Sequence, residues 1–160
     1  MVAGSFTIEI DSPVEAKRLW NSTKDMHNQM PKQAPGLVSS AKLVQGDGGV
    51  GSIREVHFTE ANKDFSYVKD KVDLVDEANL VYGYSCIEGG MLGKKVASVS
   101  YKIKYVPKPG GGTSAIYTCN YDSLPGVAHD EAKIEDFKAK TLGLFKLVEQ
   151  YLIANPTVCC

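Results

Sequence analysis

The chain has 160 residues, with 18 basic against 19 acidic side chains and a formal charge of −1. That length suits a single domain, residues 1–160, able to bury a sizeable core. The even charge argues against nucleic acid or an anionic membrane as the main partner, and no apolar run approaches the ~20 residues that span a bilayer.

The start, Met1 to Phe6, has no basic region followed by an apolar stretch, so the expected location is the cytoplasm. From Val2 to Ile10, Phe6, Ile8 and Ile10 alternate with Thr7 and Glu9, which predicts a strand. Ser12-Pro13-Val14-Glu15 then carries helix-start signals. Ser12 can cap, Pro13 suits the first helical position, and Glu15 completes a capping box. A first helix is expected from about Pro13 to Ser22 and a second from about Lys24 to Met30, with Pro31 and Pro35-Gly36 ending the helical stretch.

Six strands are expected next, at roughly 38–45, 52–59, 65–75, 79–87, 95–106 and 114–122. Short connections make them sequential antiparallel neighbours. Between the first two lies Gly46-Asp47-Gly48-Gly49-Val50-Gly51, which contains GxGxxG. A phosphate-cradling loop must hand over to a helix. Here it hands over to Ser52–Phe58, where Arg54, Val56 and Phe58 share one face and Ile53, Glu55 and His57 the other. That is a strand, and no Walker lysine follows Gly51. The glycines Gly46, Gly48, Gly49 and Gly51 therefore read as a turn that uses positive φ.

The last third changes period. Ile134, Phe137, Thr141, Leu144, Phe145, Val148 and Leu152 predict an amphipathic helix from about Asp130 to Ala154, stopped by Asn155-Pro156. At 1.5 Å per residue it spans about 37 Å, enough to cross a whole curved sheet. The sum is an α+β domain: seven antiparallel strands, two short helices after the first, and one long helix at the end.

The strands are rich in tyrosine: Tyr67, Tyr82, Tyr84, Tyr101, Tyr105, Tyr117 and Tyr121. Tyr82, Tyr84 and Cys86 share one strand face. Tyr101, Ile103 and Tyr105 share another, opposite Ser100, Lys102 and Lys104. The tyrosine face therefore turns inward, where each hydroxyl needs a partner. Two readings remain open. One is a core whose hydroxyls bond backbone and water. The other is a cavity between sheet and long helix, suited to a planar or amphipathic molecule.

Catalytic and metal signals are weak. His27, His57 and His129 are scattered and expected at the surface, and no Ser or Cys sits in a nucleophile elbow. Cys86 and Cys119 look buried, and Cys159-Cys160 reads as a bare, oxidisable tail. No Cys/His spacing suggests zinc, so neither a metal nor a cofactor is expected. Lys138 and Lys140 lie mid-helix, where a solvated face is favoured over a partly inward one.

The motifs in this order resemble the plant pathogenesis-related class-10 proteins, the birch pollen major allergen family of the START-like superfamily. Gly46–Ile53 is similar to that family's glycine loop, Tyr67–Asp73 to its fourth strand, Tyr82–Gly90 to its signature, and Val148–Leu152 to the end of its long helix. The resemblance covers essentially the whole chain. It implies a helix-grip fold, with a highly curved sheet wrapped around the long helix and enclosing a hydrophobic cavity. It also implies an intracellular plant defence or stress protein, expected to be monomeric. Such a protein would carry or buffer small hydrophobic or amphipathic plant metabolites or hormones, such as cytokinins, flavonoids, steroids or fatty acids. The lining implied is Phe58, Phe65, Tyr67, Asp70, Tyr82, Tyr84, Tyr101, Ile103 and Lys138.

Three further activities claimed in the family bear on these residues. Ribonuclease activity would use Arg54, Glu149 and Tyr151, but Ala97 stands where the family has a glutamate, and Glu149 is equally a helix-surface charge. Pictet–Spengler condensation needs a cavity lysine, whose place Tyr82 takes, and an aspartate, whose place Tyr101 takes. Abscisic acid reception with phosphatase inhibition needs a gate loop that this chain lacks.

Overall fold

A computed structural model describes residues 3–127 and 131–160. The expected element starts at Val2 and Asp130, and His129, lie outside the described residues. The elements run β1 (Ala3–Ser12), α1 (Ala16–Lys24), α2 (Met26–Gln33), β2 (Val38–Gln45), β3 (Ile53–Phe58), β4 (Tyr67–Asp76), β5 (Val81–Gly89), β6 (Val96–Pro107), β7 (Thr113–Ser123) and α3 (Glu131–Ala154). The strands form one antiparallel sheet in the order β1-β7-β6-β5-β4-β3-β2. This is the expected helix-grip architecture.

Two helix boundaries differ from expectation, for local reasons. Ser12 stays in the sheet, paired with Thr113, and its Oγ accepts from Val14 N at 3.2 Å. The Thr113 hydroxyl donates to Val14 O at 2.6 Å. Those bonds hold Pro13 and Val14 outside the helix, so α1 begins at Ala16 without a capping box. Pro31 sits inside α2 and does not end it. It costs one hydrogen bond, while Ala34 N still reaches Met30 O at 2.9 Å.

Alternation sorts the strand residues into two faces, and cross-strand register lines up the inner one. One row runs Val72, Tyr84, Tyr101, Cys119 and Phe6; the next runs Tyr82, Ile103, Tyr117 and Ile8. Register shifts at Lys69/Asp70 and Val72/Leu74 on β4, and at Val96/Ser98 on β6, mark bulges that bend the sheet. The loop after β2 also sets register. Gly46 has a φ of 84°, and a Cβ there would lie 2.4 Å from Ser52 Oγ, so only glycine fits. Ser52 Oγ in turn accepts from Gly48 N at 2.8 Å.

α3 meets the sheet through aromatic side chains. Phe137 lies 5.7 Å from Phe6 and 6.2 Å from Tyr101, and Phe145 lies 6.0 Å from Tyr117, between ring centroids. The buried apolar residues form two clusters. The larger holds Ile10, Leu19, Trp20, Val72, Ile103 and Leu152; the smaller holds Met30, Val38 and Val56, with Leu144 packed on it. Among the described residues, no helix is long and apolar enough to cross a membrane.

The expected bare tail is docked instead. Arg18 of α1 donates to Leu152 O at 2.8 Å, Asn155 O at 2.9 Å and Val158 O at 2.9 Å, closing the C-terminus of α3. Asn21 Nδ2 donates to Cys159 O at 3.1 Å. These carbonyls would otherwise be orphaned at the helix end, where a cation is also favoured. Arg18→Ala is therefore expected to cost about 2 kcal/mol of unfolding free energy in urea titration. An unchanged midpoint would contradict the clamp.

Candidate functional site: the inner face of the sheet

On β4 the inward residues run Val68, Asp70, Val72. Val68 packs with the smaller cluster and Val72 belongs to the larger, so Asp70 lies at the seam between them. Arg54 of β3 is its cross-strand partner and Cys86 of β5 its other neighbour. Arg54 is 1% exposed and Asp70 8%. The Arg54 guanidinium carbon lies 5.2 Å from the Tyr82 ring centroid and 5.4 Å from that of Tyr84, within cation–π range. Its Nη1 makes a long, 3.5 Å contact to Thr23 O. Arg54 Nε and Nη2, and the Tyr82 hydroxyl, are buried with no hydrogen-bond partner among the described residues.

A stack of rings leads away from this polar corner. Tyr84 and Tyr101 are stacked at 5.1 Å, and Tyr101 stacks on Phe137 of α3. Burial pushes the hydroxyl pKa values of Tyr84, Tyr101 and Tyr117 upward, yet all three side chains keep accessible surface. Tyr105 is different. It is buried, and its hydroxyl lies 2.6 Å from Thr23 Oγ1, which donates to Leu19 O. Burial raises the Cys86 thiol to about 11 and Cys119 to about 12, so neither is a nucleophile at neutral pH.

Desolvation also lifts the Asp70 carboxyl from 3.8 to about 6, against the lowering effect of Arg54. His27 of α2 is lowered by burial and by Arg54, against Asp25; its Nδ1 is buried and unpartnered among the described residues. It is less exposed than expected.

Ile103 is 2% exposed and Tyr82 0%, and both face inward as expected. Phe58 and Phe65 pack edge to face at 5.4 Å beside the smaller cluster. Tyr67 departs from expectation. It pairs with His57, stacks on that ring at 5.8 Å, and donates to Glu88 at 3.1 Å on the outer face. Period-two alternation forbids Tyr67 and Asp70 from sharing a face. Lys138 is partly buried, with its ammonium 5.6 Å from the Phe6 ring and 3.2 Å from Glu135, and Lys140 is exposed and bonded to Asp64 at 2.7 Å. Glu149, read as a surface charge, is 7% exposed and is paired with Lys146 at 3.3 Å. Tyr151 packs against the larger cluster. Among the described residues no hydrogen bond or ion pair joins Arg54, Glu149 and Tyr151.

The outer face carries an open hollow, lined by Ala3, Ser5, Ser98, Ser100, Asn120 and Asp122. Ser98 Oγ donates to Asp122 there at 3.1 Å, whereas the Tyr121 ring lies over Gly4 on the inner face, in register with Val99. Among the described residues no group of His, Cys, Asp and Glu could hold a metal ion.

The model of the pathogenesis-related protein Bet v 1 family matches residues 1–155. The chain belongs to that family. The Bet v 1 relatives include the major strawberry allergen Fra a 1.08 of Fragaria ananassa, 43% identical over 156 residues, covering 96% of this chain and 97% of the allergen. The major allergen Pru ar 1 of Prunus armeniaca is 40% identical over 156 residues, with the same coverage. Among solved structures, Ara h 8.0201 superposes with a TM-score of 0.81 at 28% identity, covering 96% of this chain and 99% of that one.

Within this Bet v 1 framework Phe6, Cys119 and Phe137 join the inner face although the implied lining omits them; Phe6 and Cys119 are expected on apolar or buried strand positions and Phe137 on the apolar side of α3. Alternation puts Arg54 on the face of Val56 and Phe58, whereas the resemblance gives it only a catalytic role.

Asp70 makes the fold's stability depend on pH. The folded protein holds this proton below about pH 6, and the unfolded chain only below about 4. Its contribution to stability is therefore full below pH 4 and falls as pH rises to 6, by up to about 3 kcal/mol. The unfolding free energy of wild type minus that of Asp70→Asn should decline from pH 4 to 7 in urea titrations. A difference flat with pH would contradict it.

Proposed function

We propose that this protein is an intracellular, defence-related carrier or buffer of small hydrophobic molecules, held between the inner face of the sheet and α3. One observation carries the reading: Tyr84, Tyr101 and Tyr117 face inward and are desolvated, yet each keeps accessible surface. A close-packed core leaves no such surface; a hollow in front of the rings does. The stacked Tyr84–Tyr101–Phe137 rings suit a planar or steroid-like body, in the class of cytokinins, flavonoids, steroids or fatty acids.

Magnitudes support modest affinity. Burying ~300 Å² of ligand apolar surface is worth ~7 kcal/mol gross. Ordering costs reduce that, which leaves affinities in the micromolar range.

Ribonuclease chemistry is the competing class. It would need Arg54 to reach a phosphodiester, and Arg54 is 1% exposed on the inner face. Glu149 and Tyr151 lie in the packed side of α3.

Displacement of a neutral apolar fluorophore such as Nile red tests the reading. A flavonoid or a cytokinin should displace it, and Tyr84→Ala with Tyr101→Ala should weaken dye binding about tenfold. Asn120→Ala, exposed on the outer face, should leave it unchanged. Binding that is lost in the outer variant and kept in the inner pair would overturn the assignment.

A further inference from the structure

We propose that the inner face contains an anion subsite: the Nε/Nη2 edge of Arg54, with the Tyr82 hydroxyl of the same buried corner, takes the carboxylate of an amphipathic ligand. The ligand's aromatic or apolar body then lies on Tyr84, Tyr101 and Phe137. This rests on the carrier reading and names the ligand class it serves best.

The argument starts from which nitrogens lack partners. Nη1 is the one nitrogen of Arg54 with a protein contact, to Thr23 O. Nε and Nη2 have none among the described residues. Those two share one edge of the guanidinium, and their N–H groups point in parallel. That edge matches the two oxygens of a carboxylate, giving two parallel charge-assisted bonds. The guanidinium carbon lies 5.2 Å and 5.4 Å from the ring centroids of Tyr82 and Tyr84, contacts that limit how it can turn.

The second observation is independent of Arg54. The Tyr82 hydroxyl is also buried and unpartnered among the described residues. Buried polar groups are satisfied in the great majority of cases, so two such orphans on residues in ring contact mark a corner where something else supplies the acceptor. One carboxylate can accept from both, because each of its oxygens offers two lone-pair sites.

Asp70 does not already fill this role. It is the cross-strand neighbour of Arg54, but the orphaned nitrogens make no hydrogen bond to it. Both nitrogens are covered in this conformation, so an arriving carboxylate must displace a ring. Tyr84 keeps accessible surface and is the ring with room to move.

Calorimetric titration at pH 7.5 with naphthaleneacetic acid and its methyl ester tests the subsite. The two share one skeleton and differ in charge. Wild type should bind the acid about 10- to 100-fold more tightly than the ester. Arg54→Gln should erase that preference while keeping the ester's affinity. Arg54→Lys, with charge but no fork, should keep part of it, and Tyr82→Phe should lower it a few fold. Equal affinity of wild type for acid and ester overturns the subsite and leaves the carrier reading standing. A preference that survives in Arg54→Gln assigns the anion to another cation and also overturns it. Binding of neither compound sinks the carrier reading and the subsite together. Should Arg54→Gln prove unfolded by circular dichroism, the wild-type comparison and Tyr82→Phe decide the matter.

Discussion

A guanidinium buried on the concave side of a β-sheet is the constraint around which this protein is arranged. Charge in an apolar interior is costly unless it is paired and hydrogen-bonded. Arg54 is neither fully paired nor exposed. What offsets the cost is partial: two tyrosine rings, one backbone carbonyl and a neighbouring carboxyl across the strand pair. The apolar core divides around this corner into two clusters, with Asp70 at the seam. A family member that only needed to fold would gain by filling the same volume with aliphatic side chains.

Parity is what puts Arg54 inside. A slip of one residue on β3 would turn Glu55 and His57 inward and bring Arg54 out. The glycine loop prevents it. Gly51 N donates to Val72 O at 2.8 Å, and Val72 N donates to Ser52 O at 2.9 Å, so β3 starts in a single register with β4. The loop that resembles a phosphate cradle therefore decides which side chains of β3 face the interior.

Much of this was legible in the chain. The seven strands, the long helix and the inward tyrosines follow from alternation and period, because half-buried strands and amphipathic helices write burial directly into residue order. What failed depended on contacts distant in sequence. Pro13 was displaced from α1 by Thr113, about a hundred residues on. The tail was bound by Arg18. Glu149 was buried by the packing of α3, although its own helix neighbours read as mixed. Tyr67 is the instructive error: it was assigned by resemblance to a motif, whereas its odd spacing from Asp70 already placed it on the outer face. Arg54 is the reverse case, since alternation had placed it correctly before any role was considered.

The central claim is that ligands are held on the inner face. Chemical-shift mapping of the isotopically labelled protein during titration with methyl naphthaleneacetate locates the bound molecule directly. The account predicts the largest shifts at Tyr84, Tyr101, Cys119 and Phe137, with Ser98, Ser100 and Asn120 of the outer hollow unmoved. Shifts concentrated at the outer hollow, with the inner rings silent, would contradict it.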